Sequence, residues 1–122
     1  MDHRALHPTP YSYAQAHEVS NFSRVLFISG QVPEDKDGNV PADFKSQCRL
    51  AWANVEAQLT AAGMTLDHLV KVTTFLSDRK YRRENYEVRT EVLGERLPAL
   101  TIIITGIYEE HWLLEIEAIA AA

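Results

Sequence analysis

The sequence predicts an α+β fold, a two-layer sandwich in which a mixed β-sheet carries two helices on one face. Three observations point to it. Phe44, Cys48, Trp52, Val55, Leu59 and Ala62 recur at spacings of three and four, a helical stripe about five turns long. A second amphipathic stretch, with Tyr81, Asn85, Val88 and Val92 on one face, follows a strand-like run from Leu69 to Leu76. Two more strand-like runs close the chain.

The elements follow in order. Residues Met1 to Pro10 hold two prolines and two histidines and read as a loose lead-in. Val25 to Ser29 is a short run ended by Gly30, a strand signal, and Asp35 to Asn39 is turn chemistry. Asp43 can cap the first helix and Gly63 can end it. The Leu69–Leu76 strand sets Val70, Val72, Thr74 and Leu76 against Leu69, Lys71, Thr73 and Phe75. Asp78 can cap the second helix, which runs to about Glu95, with Gly94 and Pro98 marking its end.

Thr101 to Thr105 is apolar on both faces, which implies that helices cover one face and another subunit the other. In the last strand, Trp112 to Ala120, Trp112, Leu114, Ile116 and Ala118 oppose Leu113, Glu115, Glu117 and Ile119. The order is strand, strand, helix, strand, helix, strand, strand. A sheet face that mixes Glu115 and Glu117 with apolar residues reads as a subunit interface with a site in it.

Composition narrows the function. A chain of 122 residues is expected to form one domain and to bury a core without disulfides or metals. Its net charge of −5 works against phosphate backbones, so no nucleic-acid partner is expected. No apolar run approaches the roughly 18 residues that span a bilayer. The polar start Met1-Asp2-His3-Arg4 lacks a signal-peptide core, so no membrane contact and a cytoplasmic location are expected. Cys48, the sole cysteine, falls on the helical stripe and reads as a buried thiol. The five histidines show no metal-ligand spacing, and there is no Gly-rich phosphate loop.

Several stretches together resemble the RidA family, also called YjgF, the reactive-intermediate deaminases. They are Tyr13-Ala14-Gln15-Ala16, Ile28-Ser29-Gly30-Gln31-Val32-Pro33, Gly38, Gln47 and Asn54, and Ala62-Gly63. The match continues through Val70-Lys71-Val72-Thr73, Asp78, Asn85, Pro98-Ala99 and the tail Glu115-Ile116-Glu117-Ala118-Ile119-Ala120. The resemblance implies a chorismate-mutase-like fold and a homotrimer with small-molecule clefts between subunits. It implies hydrolysis of imines and enamines to keto acids and ammonia, with no metal or organic cofactor. Carried over residue by residue, it makes Glu115 the water-positioning acid and Tyr13 the site tyrosine. Ser29 and Gly30 become the strand-end backbone at the ligand.

An arginine that binds the substrate carboxylate belongs to the same pattern, and an ungapped count back from Glu115 lands on Leu100. Arginine suits a carboxylate because its planar fork donates two parallel hydrogen bonds. Leu100 offers no donor. Either the ligand lacks that carboxylate, or another cation supplies the contact, or the chain is not a deaminase. Phe75 and Arg79 join Leu100 as substrate-binding candidates, and Arg82, Arg96 and His111 are further cations to weigh. The leading expectation is hydrolysis of an imine, enamine or related metabolite, with a substrate preference altered by Leu100. The alternatives are a trimeric ligand-binding or regulatory protein with the same cleft and, third, an endoribonuclease.

Overall fold

The computed structural model describes all 122 residues. Its elements are β1 (Asp2–Pro8), β2 (Ala14–Ser20), β3 (Val25–Gln31), α1 (Phe44–Ala61), β4 (Leu69–Leu76), α2 (Arg82–Leu93), β5 (Ala99–Ile104) and β6 (Leu114–Ala121). All six strands lie in one sheet of order β1-β2-β5-β4-β6-β3. β4 and β5 are parallel, and β6 runs antiparallel to both β3 and β4. β3 and β4 therefore point the same way, and α1 and α2 are each crossovers between parallel strands. Both crossovers step in one direction across the sheet, and right-handed connections of that kind put both helices on one face. This is the mixed two-layer α+β arrangement expected.

The helices form where the stripe places them. The Asp43 carboxylate accepts from the Ser46 N–H at 3.0 Å and caps α1. Phe44, Cys48, Trp52, Val55 and Leu59 are buried in one core with residues of the sheet, among them Val72, Leu114, Ile116 and Ala118. Gly63 takes a left-handed φ of 70° just past the helix end, a conformation cheap only for glycine. Burial pushes the Cys48 thiol up to about 12, so it is a packing group at neutral pH.

The N-terminal expectation is overturned. Residues 2–8 are not a loose lead-in: they pair antiparallel with β2 from Asp2↔Ser20 to Pro8↔Ala14. Three strands, not two, precede α1. The hairpin is built by backbone pairing with little burial, so it leaves no apolar periodicity to read. Other boundaries move as well: β3 runs through Gly30 to Gln31, α2 ends at Leu93 rather than about Glu95, and β5 spans Ala99–Ile104 rather than Thr101 to Thr105. Asp78 caps a single 3-10 turn (Arg79–Tyr81) that leads into α2, and β6 starts at Leu114 rather than Trp112.

Gln47 is the polar pin of the core. Its side chain donates to the carbonyls of Pro41 and His111 and accepts from the Leu113 N–H at 2.8 Å. The loop before β6 is thereby tied to α1. Gln47→Leu leaves all three backbone groups unpaired and is expected to lower stability by about 2 kcal/mol or more, read from urea unfolding midpoints.

Candidate functional site

The register of β4 and β6 sets the first group of residues. Leu114, Ile116 and Ala118 are buried on the helix side, so strand alternation turns Glu115 and Glu117 to the open face. There Phe75 lies opposite Glu115 on one side and Ile103 on the other. The Glu115 carboxylate occupies the space that any side chain at position 30 would fill. Gly30 lies in the irregular stretch of the β3–β6 ladder between Ile28 and Gln31, so its requirement here is close approach, not a left-handed φ. Ser29 adjoins, its carbonyl accepting from Gln31 Nε2 at 2.9 Å. Lys71 shares the face, bonded to Thr101 Oγ1; partial burial lowers its pKa and the Glu117 carboxylate opposes that shift. Phe27 is 76% exposed and Ile103 42% exposed on this same face, an apolar surface that the chain leaves uncovered.

The second group lies on the other side of the sheet. Leu100 pairs with Val72, which is wholly buried beneath the helices, so Leu100 points away from Glu115. Leu100 and Ile102 floor a cavity of about 440 Å³ between α2 and the segment before β2, walled by Tyr11, Tyr13, Tyr86 and Arg89. Sharing Tyr86, Arg89 and Ile102 with it is a second cavity of about 330 Å³, which adds Arg79, Arg82 and Asn85. Tyr13, Leu100 and Arg79 thus share one trough. Glu115, Gly30, Ser29 and Phe75 sit on the opposite face, and within one chain the two sets do not meet.

Of the other cations weighed, Arg96 is bound to Asp67 at 2.7 Å, and His111 is exposed and belongs to neither group. Arg89 was not among the sequence candidates. It is 4% exposed, on the buried side of α2 with Asn85 and Val88. The available signal was an arginine standing one residue from Val88 on the apolar stripe of that helix.

Pairing of β1 with β2 also gathers histidines that the sequence scatters. His3 Nδ1 lies 2.7 Å from His17 Nε2, His17 Nδ1 lies 2.8 Å from the Leu97 carbonyl, and the His68 ring centre is 6.5 Å from that of His3. Burial chiefly, aided by the neighbouring His17 and His68, lowers the His3 pKa. A histidine with a depressed folded pKa binds its proton more readily when unfolded. Its contribution is complete above the ordinary value near pH 6.5 and is lost as pH falls through the lower folded value. Melting temperature should therefore fall between about pH 7 and pH 5, and His3→Gln should flatten that slope.

The fold is that of the Rid proteins: the solved structure of YyfB from Yersinia pestis, of the conserved Rid protein family, superposes with a TM-score of 0.87 at 24% identity, covering all of both chains. Residues 4–122 match the family model described as Endoribonuclease L-PSP, and the chain belongs to this family, the RidA/YjgF family. A RutC family protein of Pyrococcus horikoshii is 41% identical over 110 residues, covering 88% of this chain and 85% of that one. The 2-iminobutanoate/2-iminopropanoate deaminase of Escherichia coli is 33% identical over 112 residues, covering 88% and 85%. No helix is long and apolar enough to cross a membrane.

Proposed function

We propose that the chain hydrolyses an imine or enamine at clefts shared between copies of itself, with Glu115 handling the water. The observation that carries this reading is the Glu115 carboxylate packed over Gly30 beside Phe75, on the sheet face the helices leave open. A water held there attacks the carbon of a C=N bond while Glu115 takes up its proton. Protonated Glu115 hands that proton to the nitrogen, giving a carbinolamine; the same carboxylate then carries the hydroxyl proton to the amino group, and the C–N bond breaks to leave a carbonyl compound and ammonia. Kinship with a deaminase named for 2-imino acids supports the same chemistry.

The second half of the site comes from another copy. Tyr13 and Leu100 lie across the sheet from Glu115, so one chain's trough must meet the open face of a second to complete a cleft. The exposed Phe27 and Ile103 give that face the apolar surface an obligate interface needs. The assembly is a homotrimer. Leu100 makes the trough more apolar than an arginine would, and the same observation favours a second reading, a ligand-binding trimer without turnover.

Ammonia release from freshly generated 2-aminoacrylate and bulkier 2-imino acids, measured above spontaneous hydrolysis, tests the reading. Catalysed release of ammonia is the expected result. An intact trimer with no rate on any of them would leave the ligand-binding reading in possession.

A further inference from the structure

Arg89 is a buried cation that the fold leaves without a counter-charge. The residue is more than nine-tenths buried, and no carboxylate pairs with it. Its hydrogen bond runs from Nη2 to the Tyr11 carbonyl at 3.2 Å, and Nε is buried with no acceptor. Tyr86 stacks beneath it, the ring centroid 5.5 Å from Cζ. Burying a cation with its hydrogen bonds unmet works against stability, and cores rarely keep such a group without an anion. Burial lowers even this arginine's affinity for its proton. The missing anion has a place to sit, because Arg89 lines both cavities of the trough whose floor holds Leu100 and Ile102.

We propose that Arg89 binds the carboxylate of the ligand, doing from α2 the work that Leu100 cannot do from β5. The ligand it implies is a 2-imino acid, or the matching 2-keto acid, whose apolar side group rests on Leu100 and Ile102. A trough walled by Tyr11, Tyr13 and Tyr86 has room for a group well beyond a methyl. The tyrosine wall and the aliphatic floor select against a second charge at that end. This assignment rests on the proposed reading of the trough as half of the site.

The test is binding, kept separate from turnover. The full-length protein is titrated with 4-methyl-2-oxopentanoate and with its neutral amide, followed by calorimetry. The acid should bind and the amide should bind at least about tenfold more weakly, the loss expected when a charge-assisted pair is removed. Arg89→Met should lose the acid by about the same factor, and its melting temperature should stay level or rise as the unpaired cation is removed. Arg89→Lys, which keeps charge but not the fork, should fall between. Adding Leu100→Arg to Arg89→Met should restore affinity from the floor of the same trough.

Equal affinity for acid and amide, or a folded Arg89→Met that binds the acid as wild type does, overturns the proposal. If Arg89→Met does not fold, the acid-to-amide ratio and Arg89→Lys still decide. Ammonia release separates this from the hydrolase reading. Carboxylate binding through Arg89 with no ammonia from any imino acid sinks the enzyme and keeps the site. Catalysed release with an unchanged KM in Arg89→Met keeps the enzyme and sinks the site.

Discussion

Glu115→Gln is expected to lower the rate of ammonia release by about 100-fold or more, leaving assembly and melting temperature near wild type. Glutamine keeps the shape of the side chain and its place over Gly30. It cannot accept a proton from water, and its amide hydrogens would face the spot where an acceptor is needed. Because Glu115 makes no hydrogen bond or ion pair within the chain, its loss removes no folding contact. The measurement is kcat with a 2-imino acid beside a light-scattering mass. A rate within a few-fold of wild type would take Glu115 out of the chemistry and return it to the subunit contact.

Gly30→Ala should do comparable damage by a different route. The added methyl group would meet the carboxyl end of Glu115, and since that end is flexible, the side chain would swing aside rather than the strands part. Stability should drop by about 1 kcal/mol, whereas turnover should approach that of Glu115→Gln. The two changes should also fail to add: Gly30→Ala placed on Glu115→Gln should cost little further rate, since one group is displaced twice. Full additivity would show that Gly30 matters through the backbone at Ser29 instead.

How much of this could be read in advance depended on whether a residue's neighbours lie on its own element. The α1 stripe and its Asp43 cap are local, and both form as the spacing requires. Strand alternation alone assigned Glu115 and Glu117 to the face opposite Leu114 and Ile116. What could not be read was which way β5 faces relative to β6. That follows from the parallel register with β4, Val72 against Leu100, and it splits the candidate residues between two sides of the sheet. Arg89 escaped because a helix stripe was traced through its apolar members, while the odd charge among them carries the information. The β1–β2 hairpin escaped because backbone pairing without burial leaves no pattern in the side chains.

That hairpin joins the ladder of the rest of the sheet at a single residue pair, Ala14↔Ala99. Elsewhere it is tethered by side chains reaching for carbonyls: Ser12 to Gly94, His17 to Leu97, and Arg89 to Tyr11. A flap so hung is expected to open short of global unfolding, and its amides should exchange for deuterium earlier than those of the β4–β6 core. One of the tethers is the guanidinium that faces the trough. A ligand that engages Arg89 would act on the same group that latches Tyr11, in the turn between β1 and β2, so filling the trough should change how fast that hairpin exchanges its amides.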